Sequence, residues 1–246
     1  MRAWRPLLFL LAPAVALAGC DRAPESPESR DQREWPERHF PAPDRPVASI
    51  VSSRWSTEEA RDRLNEADVV MNRAGIKPGM TVADIGAGEG YYTIRLSKRV
   101  GKEGRVLAED VVPQVRDALA GRVARERLDN VAVRLGRPSN PRLPRQSFDR
   151  VLMVHMYHEI ESPYEFLWHL WRGLKPDGRV IVVDANRATQ NHGTPPELLK
   201  CEFEAVGYRQ VSMEEMPSAG GYLAIFAPGN RPEPEAIKPC KAPPAA

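Results

Sequence analysis

Three short stretches are apolar almost without interruption: Thr81–Ile85 (TVADI), Phe148–Val154 (FDRVLMV) and Arg179–Asp184 (RVIVVD). Runs of this length with little alternation predict strands buried on both faces, as in a parallel sheet covered by helices. Around them the pattern shifts to helical spacing. Ser56-Thr57-Glu58-Glu59 reads as a capping box, with Ser56 as cap and Glu59 three residues on. Apolar Leu64, Ala67, Val70 and Met71 then recur at helical intervals until Gly75 and Pro78-Gly79 stop the helix. Further helices are predicted over Tyr91–Val100, Pro113–Arg125, Pro163–Leu174 and Pro195–Val206. The remaining strands fall at Arg105–Ala108, Val131–Leu135, Tyr208–Glu214 and Tyr222–Ala227, with Lys175-Pro176-Asp177-Gly178 as a turn. The last two strands, joined by Met216–Gly221, read as a hairpin. The fold class is therefore α/β, an open and mostly parallel seven-stranded sheet with a C-terminal antiparallel hairpin.

Composition sets the limits of that domain. Pro is abundant and concentrated in residues 21–51 and Pro228–Ala246, both polar and without apolar periodicity. They read as a disordered tether and a disordered tail, which leaves residues 52–227 as the folded domain. Ahead of the tether, Arg2 and Arg5 precede the apolar run Leu7–Leu17, and the segment ends Leu17-Ala18-Gly19-Cys20. The run is too short to span a bilayer comfortably and reads as an export signal over residues 1–20. Its end resembles the lipobox of bacterial lipoproteins, which implies lipidation at Cys20 and anchoring to the periplasmic face of a membrane. An ordinary cleaved signal or an uncleaved anchor is the alternative. In that oxidising setting Cys201 and Cys240 either pair or remain two thiols.

Formal net charge is only +2, so no basic face argues for a nucleic-acid partner. Chemistry concentrates instead after the first strand, in Asp84-Ile85-Gly86-Ala87-Gly88-Glu89-Gly90. Glycines here let the backbone turn tightly and approach a ligand with no Cβ between. A dinucleotide fingerprint needs glycine at position 91, which is Tyr91, and a pyrophosphate would not favour Asp84 beside it. A ligand carrying an ammonium and a sulfonium would.

Four landmarks in order carry a resemblance to the class I S-adenosylmethionine-dependent methyltransferases: VADIGAGEGYY, the acid-ended RVLAEDVVP, SFDRVLMVHMYHEI, and LKPDGRVIVVD. The resemblance covers most of residues 52–227 and implies a Rossmann-like fold with S-adenosyl-L-methionine as cofactor. It implies that Gly86, Ala87, Gly88 and Gly90 line the methionine moiety and that Asp84 attracts its ammonium, directly or through water. Asp110, with Glu109 as alternate, would receive the ribose hydroxyls, since a carboxylate accepts two hydrogen bonds side by side. The segment after the third strand lacks the family's usual acidic residue, so Asn140, Ser139 or a backbone carbonyl is the candidate at adenine. His155 completes the cofactor set.

On the acceptor side, His158 paired with Glu159 reads as a base, with Tyr157 beside them. The histidines show no recognisable metal-ligand spacing, so no metal is expected. The reading is a membrane-tethered methyltransferase acting on an unidentified, small-molecule acceptor. A non-catalytic, membrane-tethered binding lipoprotein of the same fold is one alternative, and a nicotinamide-dependent oxidoreductase another.

Overall fold

The computed structural model describes residue 1, residues 40–50 and residues 57–241. The export signal, Cys20 and the cap assigned to Ser56 lie outside these residues. All elements below belong to the compact unit Trp35–Ala246.

Seven strands form one sheet: β1 Thr81–Ile85, β2 Arg105–Asp110, β3 Val131–Leu135, β4 Phe148–Val154, β5 Leu174–Asp184, β6 Tyr208–Met216 and β7 Gly221–Pro228. Their order is β3-β2-β1-β4-β5-β7-β6, with β7 antiparallel to both its neighbours and the other pairings parallel. Helices α1 Glu58–Arg63, α2 Glu66–Arg73, α3 Tyr91–Val100, α4 Pro113–Arg125, α5 Pro163–Trp171 and α6 Pro196–Ala205 accompany it.

The apolar runs bury alternate residues on opposite faces. Ala83, Ile85, Val151, Met153, Val180 and Val182 share one core with Tyr164 and Leu167 of α5 and Phe203 of α6. Val82, Leu152, Ile181 and Val183 share the other with Val70 and Met71 of α2 and Leu96 of α3. With helices on both faces, no strand position of β1, β4 or β5 in this central zone is left to a polar surface, which is why these runs do not alternate.

Five expectations change. Helix α1 is capped by Thr57, whose hydroxyl oxygen accepts from the Ala60 amide at 3.2 Å, one residue later than expected. The helical run also breaks at left-handed Asn65 (φ 53°), and Leu64, counted as a core position, is exposed. The Lys175–Gly178 turn lies inside β5, which begins at Leu174 and carries an irregularity before Arg179. Pro228–Ala246 is no loose tail as far as Lys241. The Arg231 guanidinium stacks 3.7 Å from the Trp168 ring, and Trp168 Nε1 donates to the Pro232 carbonyl. Cys240 is disulfide-bonded to Cys201 on α6. Finally, the last part of the supposed tether packs on the domain: Arg45 is buried and donates to Glu202 at 2.8 Å, and the Ala48 amide donates to the His158 carbonyl. Pro-rich composition hid this because proline removes periodicity without removing packing. Arg231, Trp168 and the disulfide do the holding.

Candidate active site

β1 lies between β2 and β4, so strand order reverses at its carboxyl end, where open α/β sheets place ligands. A cavity of about 250 Å³ opens there. Its base is the loop after β1. Gly86 and Gly88 both have left-handed backbone, φ +66° and +55°, which other residues adopt only with strain. A Cβ at Gly88 would meet nothing within 4 Å, whereas one at Gly86 would press on Met156 at 2.9 Å. The loop thus offers bare backbone to the cavity, and Ala87 lines it too. Gly90 does not. It starts α3 in a left-handed conformation, and a Cβ there would strike Leu119 at 2.5 Å, so its role is packing.

Asp110 ends β2 on the cavity wall. One carboxylate oxygen accepts from the Gly88 amide at 3.0 Å and the other from the Val112 amide at 2.9 Å. Each oxygen has a second lone pair, so the group is held rigidly and can still accept a pair of hydroxyls. Glu109 also lines the cavity and is almost fully buried, pressed against Gly136, with one oxygen lacking any hydrogen-bond partner. Burial, reinforced by the charge of Asp110, raises its carboxyl to about 8. An unfolded glutamate titrates near about 4.3, so between those values the folded chain holds the extra proton. Glu109 therefore favours the fold at low pH, and that contribution is lost as pH rises toward 8. In urea unfolding between pH 5 and pH 8, the parent chain should lose more stability than Glu109→Gln. Parallel curves would contradict the assignment.

The structure separates the remaining candidates. His155 lines the cavity in left-handed backbone (φ 54°), and burial lowers its imidazole to about 4, so it sits there neutral. Asp84 does not reach the wall. It is buried behind the loop, accepts from the Thr93 hydroxyl at 2.6 Å, and is raised by burial to about 6. Asn140 is not on the wall either: its side chain accepts from the Arg142 amide and shapes the loop after β3, whose Pro138 lines the cavity instead. Tyr157 is fully buried and donates to Glu202 at 2.7 Å, within the Arg45–Glu202 ion pair, so it is a core residue rather than a catalytic one. Glu159 does line the cavity.

His158 is paired differently from expected. Its Nδ1 lies 3.0 and 3.1 Å from the two oxygens of Asp184, at the end of β5, and not against Glu159. Asp184 also accepts from the Ala185 amide and the Thr194 hydroxyl, so its carboxylate is fully engaged. An acid closing a parallel strand is a readable signal, but in RVIVVD the continuous apolar run masks the role of Asp184. Arg61 was missed as well. It lines the cavity from α1, donates to both oxygens of Glu66 at 3.0 and 2.6 Å, and stacks 3.8 Å from the Tyr91 ring. Its spacing from Glu58, also on the wall, is one helical turn.

Residues 83–182 match the family described as a methyltransferase domain. The ubiquinone/menaquinone biosynthesis C-methyltransferase of Hydrogenovibrio crunogenus is 30% identical over 123 residues, 48% of this chain and 46% of that protein. The chain thus spans less than half the length of that relative. A crystal structure of a SAM-dependent methyltransferase from Aquifex aeolicus is 28% identical, covering 70% of this chain and 98% of that one, with a TM-score of 0.57. The [4+2]-cyclase SpnF, at 17% identity and a TM-score of 0.59 over 78% of this chain and 90% of its own, shares the fold alone.

Proposed function

We propose that this chain, which carries a class I S-adenosylmethionine-dependent methyltransferase domain, transfers a methyl group to a small, largely apolar acceptor. The observation that carries the reading is the joint placement of bare glycine backbone and Asp110 on one cavity wall. Asp110 would hold the ribose diol, Gly86 and Gly88 would lie against the methionine chain, and Glu109 would offer its unpartnered oxygen to the nucleoside. Arg61 is the cation on the wall that suits the amino-acid carboxylate. S-adenosylmethionine, when bound, supplies an electrophilic methyl group on sulfur. Charge disperses in such a displacement, so an oriented and water-poor pocket contributes more than a strong base. Ile50, Val154, Met156, Ile160 and Phe166 supply that apolar lining, and they favour an uncharged acceptor. The quinone-biosynthesis relative supports a small-molecule substrate.

The Cys201–Cys240 disulfide supports an exported chain, because such bonds persist in oxidising compartments. Lipidation at Cys20 and a membrane-facing location belong to the same proposal. To test the acceptor class, methyl-labelled S-adenosylmethionine is incubated with the full chain and a bacterial extract, then fractionated. Label is expected in organic-extractable small molecules. Label confined to nucleic acid or protein would contradict the proposal.

A further inference from the structure

Two loops that are distant in sequence bring His158, Glu159 and His192 together. His158 and Glu159 belong to a 3-10 turn, Tyr157–Glu159, after β4; His192 closes a second, Thr189–Asn191, after β5. One ligand atom from each of the three lies within 4.8 Å of the other two, and the two imidazoles meet edge to face at 5.5 Å. We infer that these three side chains form a binding site for a divalent transition ion of the zinc type, beside the acceptor end of the cavity.

The donor chemistry fits. Two imidazoles and one carboxylate suit zinc and related ions, and leave a position for water or an acceptor oxygen. Ligand atoms around a tetrahedral zinc lie roughly 3.3 Å apart, so the present cluster needs only a modest contraction. The supporting shell is already in place. Asp184 takes Nδ1 of His158, which fixes the proton on that nitrogen and leaves Nε2 with the lone pair an ion requires. Asp184 is itself held by the Thr194 hydroxyl, and the Thr194 carbonyl accepts from Tyr222. The turn that carries His192 is tied down by the Thr189 hydroxyl, which donates to the Pro46 carbonyl at 2.6 Å. His192 adopts left-handed backbone, φ 56°. The buried carboxylate–imidazole pair gives orientation, and half-buried His192 and Glu159 give access. The proximity of Glu159 to both groups links the site to the cavity it lines. Sequence spacing shows no ligand motif, because His192 lies more than thirty residues beyond Glu159 and the β4–β5 pairing is what brings the two loops side by side.

The site is tested on the untagged full chain, without S-adenosylmethionine, by titration with Co²⁺ and Zn²⁺. One equivalent of Co²⁺ should bind with a visible ligand-field band, and Zn²⁺ should displace it. His192→Ala and Glu159→Gln, on half-buried positions, should each weaken binding by about tenfold or more. Asp184→Asn should weaken it by about 10–100-fold through the loss of orientation. Zn²⁺ should raise the melting temperature of the parent chain and not that of His192→Ala. If the parent binds no stoichiometric ion, or if His192→Ala and Glu159→Gln bind as the parent does, the site is refuted. Ion binding is read without cofactor, so this result and the methyl-transfer reading fail separately.

Discussion

Replacing Asp110 by alanine is expected to weaken S-adenosylmethionine binding by about a hundredfold. A charge-assisted hydrogen bond contributes about 1.5–3 kcal/mol, and a ribose diol would place two of them on this carboxylate. The substitution also strips the Gly88 and Val112 amides of their acceptor, so the glycine loop loses its brace as well. Asp110→Asn should not rescue it. Whichever way the amide turns, its NH₂ group faces one of those two backbone donors. Dissociation constants by calorimetry, with circular dichroism to check the fold, decide the matter. Unchanged affinity in Asp110→Ala would remove this residue from the cofactor site.

The second large effect is on stability. The Cys201–Cys240 bond joins positions 39 residues apart, and a closed loop of that size restricts the unfolded chain by about 4 kcal/mol in the chain-entropy treatment. Measured losses for native disulfides run about 2–5 kcal/mol, so reduction of this one should cost about 2–4 kcal/mol. Its loss also loosens the C-terminal segment, because the Cys240 amide donates to the Tyr164 hydroxyl and the backbone of Lys241 pairs with that of Asp44 in an isolated β-bridge. Urea unfolding with and without reductant, followed by tryptophan fluorescence, should show the midpoint falling in the parent and unchanged by reductant in Cys201→Ser. A parent midpoint indifferent to reductant would contradict this.

Strand content was legible because burial on both faces leaves an uninterrupted apolar signature, as in TVADI and RVIVVD. The antiparallel end was legible from the link at Met216–Gly221, which forms a 3-10 turn at Pro217–Ala219. At the site, Gly86, Gly88, Glu109, Asp110, His155 and Glu159 all reach the cavity. What sequence did not reveal is pairing across the fold. His158 had an obvious neighbour in Glu159, yet its Nδ1 turned to Asp184, 26 positions away. Tyr157 looked chemical from its neighbours and is held in the core by Glu202 and Arg45. The flanks misled for a related reason: residues 40–50 and 228–241 have no apolar period of their own. They are held by individual anchors such as Arg45, Trp168 and the disulfide.

The central claim is that the cavity at the end of β1 takes a sulfonium nucleoside and not a dinucleotide. Calorimetry of the full chain against S-adenosylmethionine, its demethylated product and NADH tests it directly. The first two should bind, with one heat signal competing out the other, and NADH should give none. Binding of NADH alone, or of none of the three, would contradict the account.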